Sequence, residues 1–203
     1  MTDNSDAFDI IREIMNIGIG EAADALSKLI NARVTIKIPD VRIMQTRDVH
    51  GYIRDALESL GVYISQDFTG SIQGKTILFY TKACSISLLN AVSRQDLEFS
   101  SLSESGIATL NEIGNIIMGS CISEISNMTE STVSFNIPEA TVEISESYFQ
   151  NLLMELDDLD KAIVIRNEMQ IKEKDIQGYL FVLLSFEDFN QVIDRLLEKM
   201  KGV

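Results

Sequence analysis

Apolar residues recur every three to four positions over residues 9–30 and again over residues 105–128. This spacing predicts two long helices, each with one apolar face. Asp6 is a candidate cap for the start of the first helix, and Asn31, just past its end, tolerates a left-handed conformation. Shorter apolar runs that partly alternate with polar residues predict strands. The remaining predicted elements are strands at 34–38, 61–68, 75–81, 132–145, 161–171 and 176–185, helices at 83–94 and 187–200, and shorter helical segments at 52–60 and 147–156.

Strands that alternate with helices predict an α/β fold, in the form of an α+β two-layer sandwich. The strand runs are short and only half alternate between apolar and polar residues. This favours a mixed or antiparallel sheet with helices on one face over a doubly wound parallel sheet.

An internal repeat relates residues 9–44 to residues 108–143 without a gap. Any two amphipathic helices can be aligned on their apolar residues, but here polar residues and a proline also coincide. The coinciding pairs are Glu13 and Glu112, Asn16 and Asn115, Gly20 and Gly119, Ser27 and Ser126, and Pro39 and Pro138. A repeat of this kind predicts two copies of one structural unit.

The later parts of the two halves also correspond. The tripeptide Ile-Gln-Gly occurs at residues 72–74 and at residues 176–178, and an apolar run follows it in each half. A chain of 203 residues is long enough for one domain or for two halves that share a core. We therefore expect residues 1–203 to form a single domain made of two structural repeats, about residues 9–94 and 108–200.

The outer face of each long helix carries the same polar residues. At about 100° per residue, one side of the first helix collects Ile11, Ile14, Met15, Gly18, Ala22, Ala25 and Leu29. The opposite side carries Asp9, Glu13, Asn16, Gly20, Asp24 and Ser27. The second helix turns Glu112, Asn115, Gly119, Ser123 and Ser126 outward, and Leu110, Ile113, Ile117, Cys121, Ile125 and Met128 inward.

The glutamate, asparagine and glycine on these outer faces are unusual choices for a solvated helix. Glu13 and Asn16 are neighbours one turn apart, yet asparagine is a mediocre residue for a helix interior. Glycine there costs roughly 1 kcal/mol relative to alanine. A bare surface that lets another protein's backbone come close would account for Gly20 and Gly119. A merely solvated face for the Glu–Asn pair, and close helix packing for Gly20, remain as alternatives.

Composition and charge exclude several functional classes. The net charge of −14 argues against nucleic acids and anionic membrane surfaces as partners. No apolar run approaches 18 residues, so no membrane-spanning helix is expected. Cys84 and Cys121 fit small core positions, and His50 has no second His or Cys nearby to complete a metal site. The acidic, polar start of the chain predicts no signal peptide, and we expect a cytoplasmic protein.

The repeated residues resemble the signature of the CheC family of bacterial chemotaxis phosphatases. That signature is an Asp or Ser, three residues, a Glu, two residues, an Asn, twenty-two residues and a Pro. The matching residues are Asp9, Glu13, Asn16 and Pro39 in the first half, and Glu112, Asn115 and Pro138 in the second. The second half departs from the signature at Ala108, where the family has Asp or Ser.

The resemblance implies a duplicated fold with a pseudo-twofold axis and two long exposed helices that bear the active residues. It implies hydrolysis of the phospho-aspartate of the response regulator CheY, with the glutamates docking to the receiver's lysine and the asparagines orienting the attacking water. The expected catalytic residues are Glu13, Asn16, Glu112 and Asn115, and the expected docking residues are Asp9, Gly20 and Gly119. The Mg²⁺ of the reaction belongs to the receiver, so no metal or cofactor is expected on this chain, which we expect to be a monomer.

The departure at Ala108 makes the two copies unequal. A side chain one turn before the glutamate could orient it or make a further contact with the receiver, as Asp9 can and Ala108 cannot. From the sequence we expect both sites to work and the first to be the stronger.

Two further functions stay open beside the phosphatase. The first is an adaptor of the same fold that captures phospho-CheY with little or no turnover. The second is regulation of the receptor deamidase CheD, which some relatives bind through a helix with small residues after the second proline strand. The corresponding segment here, residues 146–160, is bulkier, which favours a packing helix. Intact Glu and Asn in both halves favour the enzyme.

Overall fold

The computed structural model describes residues 3–53, 61–93, 103–144, 159–171 and 173–200. The first half comprises helix α1 (Asp3–Ile30), strand β1 (Val34–Gln45), a 3-10 turn (Thr46–Asp48) that leads into the short helix α2 (Val49–Ile53), strands β2 (Gly61–Gly70) and β3 (Gly74–Thr81), and helix α3 (Lys82–Ser93). The second half comprises helix α4 (Glu104–Met128), strands β4 (Val133–Phe135), β5 (Glu139–Ile144), β6 (Lys161–Ile171) and β7 (Lys174–Leu184), and helix α5 (Phe186–Met200). The helix expected at 147–156, and with it most of the segment considered for CheD, lies outside the described residues, as does most of 52–60.

The described strands form one sheet in which every pair is antiparallel. Of the two predicted alternatives, a mixed or an antiparallel sheet, this confirms the antiparallel one. Their order is β1-β6-β7-β3-β2-β4, and β5 also pairs with β2. The outer strands of each half pair with the other half: β1 of the first half pairs with β6 of the second, and β4 and β5 of the second half pair with β2 of the first. The order is therefore symmetric about the central β3–β7 pair, as a pseudo-twofold axis requires.

Apolar side chains are buried on both faces of this sheet. The long helices α1, α3, α4 and α5 pack on one face, where Ile64 and Leu180 are fully buried. On the opposite face Phe79 and Phe181 pack with Val49, the first residue of α2. Each such side chain contributes about 1.5–3 kcal/mol relative to an exposed position. The helices are thus held against the sheet by their apolar faces, which leaves their polar faces outward.

The motif helices, as we call α1 and α4, end in the same way. Asn31 and Glu130 have positive backbone φ angles of 48° and 51°. In each half the N–H of the next residue donates to the carbonyl of a serine, Ser27 at 3.2 Å and Ser126 at 2.8 Å. This bond closes the last helical turn and satisfies a carbonyl that the helix leaves without a partner. The predicted role of Asn31 is confirmed.

Three predictions about α1 and α4 are wrong. The first helix begins at Asp3, so Asp6 lies inside the helix and does not cap it. Leu29 is 51% exposed, because the apolar face drifts around the helix and Leu26 and Ile30 take the buried positions. Ser27 and Ser126 do not face outward as predicted. They are drawn in by hydrogen bonds to the chain beyond the helix end, where the Ser27 hydroxyl accepts from the Val34 N–H at 2.9 Å and the Ser126 hydroxyl donates to the Ser131 carbonyl at 2.6 Å.

Both cysteines are free thiols. Cys121 is buried against the neighbouring motif helix, and burial raises the pKa of its thiol to about 12. Cys84 is half-buried in α3. A small core role is therefore right for Cys121 and only partly right for Cys84.

Pro39 does not end the first strand as predicted, since β1 continues to Gln45. The pairing of β1 with β6 instead changes register between Lys37 and Asp40, so that residues 38–39 face the single residue Asn167. Proline has no N–H to give to a sheet ladder, and a bulge on an outer strand is a place that accepts it. We call residues 38–39 the first proline bulge.

The corresponding break around Pro138 divides the predicted strand 132–145 into β4 and β5. Residues 136–138 lie between the two strands and face only Gln66 and Asp67 of β2. This second proline bulge, like the first, has one residue more than the strand opposite. In both halves the signature proline therefore marks an irregularity in the outer strand, opposite a buried amide side chain.

Candidate functional site

Glu13 and Asn16 lie one turn apart on α1, and both side chains are exposed. Ile14 and Met15, which separate them, are fully buried and fix which side of the helix faces outward. Neither Glu13 nor Asn16 forms a side-chain hydrogen bond within the described part of the chain. Asp9, one turn earlier, is also exposed, and its carboxylate lies 3.4 Å from the guanidinium of Arg12.

Glu112 and Asn115 occupy the matching positions on α4 and are also exposed. Between them Ile113 and Gly114 are buried. A Cβ on Gly114 would come within 2.8 Å of the Ile64 side chain, so glycine here allows α4 to lie directly on strand β2. The structure thus places the two Glu–Asn pairs on two different helices as two separate sites, each within a single turn.

Gly20 and Gly119 face open space. A Cβ built on either would meet no atom within 4 Å among the described residues beyond the neighbouring backbone of its own helix. Gly18 is different, since a Cβ there would lie 2.9 Å from the Cys121 backbone, where α1 and α4 are in contact. Close helix packing therefore explains Gly18 and is excluded as the explanation for Gly20.

Exposed apolar side chains accompany both asparagines: one follows Asn16 in sequence, and the other follows Asn136, whose carbonyl shares the Gln66 amide with Asn115. Ile17, directly after Asn16, is 41% exposed. In the second half, Ile137 of the second proline bulge is 87% exposed. Each site therefore combines a carboxylate, a carboxamide and an apolar side chain on the surface, a mixture suited to contact with another protein.

A buried glutamine that the sequence-based predictions missed supports Asn115 from below. Gln66 is 2% exposed, and its Nε2 donates to Asn115 Oδ1 at 2.8 Å and to the carbonyl of Asn136 at 2.9 Å. The sequence contains a signal for it, because Gln66 interrupts the inward apolar positions Ile64 and Phe68 of β2. A polar residue at an inward position of a strand requires partners, and here one partner is a residue of the proposed site.

The buried amide opposite the first proline bulge, Asn167 of β6, has no such partners among the described residues. The burial of residues 61–69 in β2 matches that of residues 162–170 in β6 position by position, which places Asn167 where Gln66 stands. Asn167 is 1% exposed, and within the described part of the chain neither polar atom of its side chain has a hydrogen-bond partner. The two sites therefore differ in the support beneath their asparagines.

A cluster of charged and aromatic groups follows the first proline bulge. Burial raises the pKa of Asp40, but hydrogen bonds from Tyr52 and Arg42 outweigh it and leave the pKa below its ordinary value. The guanidinium of Arg42 also lies 5.1 Å from the centre of the Tyr52 ring. The second half has Glu139 in place of Asp40, and its chain there forms no such cluster among the described residues.

No group of three or more His, Cys, Asp or Glu side chains is arranged to hold a metal ion in the described ranges. The same ranges contain no helix with the length and apolar character needed to cross a membrane.

Comparisons with known proteins agree with the signature. The model of the CheC-like family matches residues 7–43, a range that includes the four signature positions of the first half. The chain is 23% identical over 192 residues to the CheY-P phosphatase CheC of Bacillus subtilis (strain 168), an alignment that covers 91% of this chain and 90% of that protein.

Solved structures share the fold. Thermotoga maritima FliY matches with a TM-score of 0.75 at 20% identity, over 96% of this chain and 97% of that one. A chain in the CheX-CheY-BeF3-Mg²⁺ complex from Borrelia burgdorferi matches with a TM-score of 0.53 at 14% identity, over 83% of this chain and 96% of that one. Together these matches confirm the resemblance to the CheC-like family and its fold.

Proposed function

We propose that this CheC-like chain is a phosphatase that hydrolyses the phospho-aspartate of a CheY-type receiver domain. The observation that carries the proposal is the occurrence, in both halves, of an exposed Glu–Asn pair on a helix face kept bare by a glycine. The names of the similar proteins support the same reaction, since one is a CheY-P phosphatase and another was solved in complex with CheY.

The asparagines Asn16 and Asn115 would orient the attacking water. Water attacks the phosphorus, the bond between phosphorus and the aspartate oxygen breaks, and inorganic phosphate and a free carboxylate result. This reaction needs little beyond a positioned water and stabilised charge. A neutral carboxamide both donates and accepts hydrogen bonds, so it holds water in line without repelling the phosphoryl group as a carboxylate would.

Glu13 and Glu112 would dock to the active-site lysine of the receiver. One exposed ion pair contributes only about 0–1 kcal/mol, so docking must draw on further contacts. The open surface at Gly20 and Gly119 would let the receiver's backbone approach the motif helix. Asp9 would add a contact in the first half alone.

The remaining parts of the reaction would come from the receiver. Its Mg²⁺ would neutralise the phosphoryl oxygens, so that this chain supplies no metal ligand and binds no cofactor. We expect the protein to act in the cytoplasm as a monomer, because the duplication already provides two sites in one chain. Contact with CheD stays the alternative that the bulky segment 146–160 disfavours.

Phosphate release from a phosphorylated CheY-type receiver tests the proposal. The wild-type chain should accelerate release, and the double variant Asn16→Ala/Asn115→Ala should return it to the rate of the receiver alone, a loss of at least about 10-fold. Asn127→Ala is a matched control, since Asn127 is an exposed asparagine at the far end of α4 and should leave the rate unchanged. Binding without acceleration in the wild type would identify an adaptor and overturn the enzymatic proposal.

A further inference from the structure

The second proline bulge determines how the buried amide of Gln66 is turned. The carbonyl oxygen of Asn136 can only accept a hydrogen bond, so the group 2.9 Å from it must be the NH₂ of Gln66. The same NH₂ lies 2.8 Å from the Asn115 side chain. Turning the Gln66 amide over would place its oxygen against an oxygen and lose both bonds.

The orientation of Gln66 in turn determines the orientation of Asn115. An NH₂ donor beneath the helix requires an acceptor above it, so Asn115 presents Oδ1 to Gln66 and directs its own NH₂ away. The second lone pair of Oδ1 stays available for a hydrogen from water. An exposed asparagine without such a partner can rotate its amide freely, as Asn16 can.

Burial of the Gln66 side chain in this orientation costs free energy. Its Oε1 is buried and has no hydrogen-bond partner among the described residues. A buried acceptor without a donor is unfavourable and is uncommon in folded proteins. Such a group is expected where the rest of the side chain has a role that an apolar residue could not fill.

We infer that Gln66 is a positioning residue that pre-orients Asn115 for the attack of water on the phospho-aspartate. The inference rests on the proposed function for the reaction that Asn115 serves. A carboxamide already held in one orientation loses less rotational freedom when the receiver docks, which favours the reactive complex. One hydrogen bond of this kind corresponds to about a 3- to 10-fold change in rate.

Single-site backgrounds test this inference in the full-length protein. Asn16→Ala leaves only the second site, and Asn115→Ala leaves only the first. Gln66→Met, which keeps the length of the side chain and removes the amide, should lower kcat for phosphate release about 3- to 10-fold in the Asn16→Ala background, with little change in KM for the receiver. In the Asn115→Ala background the same change should leave kcat unaltered, which also shows that the variant folds.

Equal losses in both backgrounds, or no loss in the Asn16→Ala background, would overturn the inference. If Gln66→Met does not fold, Gln66→Asn replaces it with the same expected result. Asparagine is already accommodated at the corresponding buried position opposite the first proline bulge, Asn167.

Side-chain amide NMR resonances supply a readout that needs no catalysis. The Asn115 resonances are identified by their loss in Asn115→Ala, and Gln66→Met should shift them while those of Asn16 stay in place. Unchanged Asn115 resonances would show that Gln66 does not position this side chain. If the wild type fails to accelerate phosphate release, the proposed function fails, and the NMR result alone then decides whether Gln66 orients Asn115.

Discussion

The first and second sites present the same Glu–Asn pair, but only the first has the full signature, and only the second has a hydrogen bond that anchors its asparagine. Asp9 completes the signature in the first half, while Asn16 has no hydrogen-bond partner among the described residues. The second half has Ala108 in place of Asp9, but Asn115 is anchored from below by Gln66. The complete signature thus belongs to the first site and the supporting hydrogen bond to the second, so completeness of the motif does not show which asparagine is held in one orientation.

The largest effect should separate the two sites. Because Asn115 is pre-oriented and the Asp9 carboxylate is already paired with Arg12, we expect Asn115→Ala to lower total phosphate release about 3- to 10-fold. Asn16→Ala should lower it by less than about twofold. The measurement is the rate with a phosphorylated receiver in excess. This reverses the ranking that the sequence suggests, and a larger loss from Asn16→Ala would restore that ranking.

Substitution of two glycines on α1 by alanine should change the free energy of unfolding in opposite directions. Gly20→Ala adds a methyl group to open space and should raise the free energy of unfolding by up to about 1 kcal/mol. Gly18→Ala forces a Cβ to within 2.9 Å of the Cys121 backbone and should lower it by about 1–3 kcal/mol.

Urea unfolding of both variants, beside the wild type, measures the difference. A destabilising Gly20→Ala would contradict the open surface on which the proposed docking of the receiver depends. A stable Gly20→Ala variant with weakened receiver binding would support it.

The smallest expected effect comes from lengthening Asn167 by one methylene. It tests whether this difference from Gln66 explains why Asn115 is hydrogen-bonded from below and Asn16 is not. Asn167→Gln lengthens the buried amide opposite the first proline bulge to match Gln66. In the Asn115→Ala background it should raise phosphate release about twofold and shift the side-chain resonances of Asn16. Asn167→Leu, which fills similar volume without an amide, is the control and should do neither. Unchanged resonances in Asn167→Gln would show that the halves differ by more than this one side chain.

Local patterns in the sequence were sufficient for most elements and for the direction of the site residues. The 3.6-residue period located α1 and α4, and it placed Glu13, Asn16 and Gly20 outward because neighbours such as Ile14 are strongly apolar. The repeat predicted that Glu112 and Asn115 would stand in matching places. These features depend on residues close together in the chain.

Features that depend on distant parts of the chain were not predictable in the same way. Pro39 reads as the end of a strand, and only pairing with β6 shows that it is a bulge within a longer one. Gln66 is separated from Asn115 by 49 positions, and nothing in the local pattern indicates which helix lies above it. The exchange of outer strands between the halves brings these residues together, and no short-range signal specifies that exchange.

The exchange of outer strands also has a consequence for biosynthesis. Val34 of β1 pairs with Ile171 of β6, which leaves the ribosome roughly 140 residues later. At about 5–20 residues per second, β1 would wait on the order of 10 s for its partner. The hairpin of β2 and β3 is local and can form earlier. The nascent first half therefore carries an unpaired strand edge for most of translation, a state in which a chaperone or a neighbouring chain could bind it.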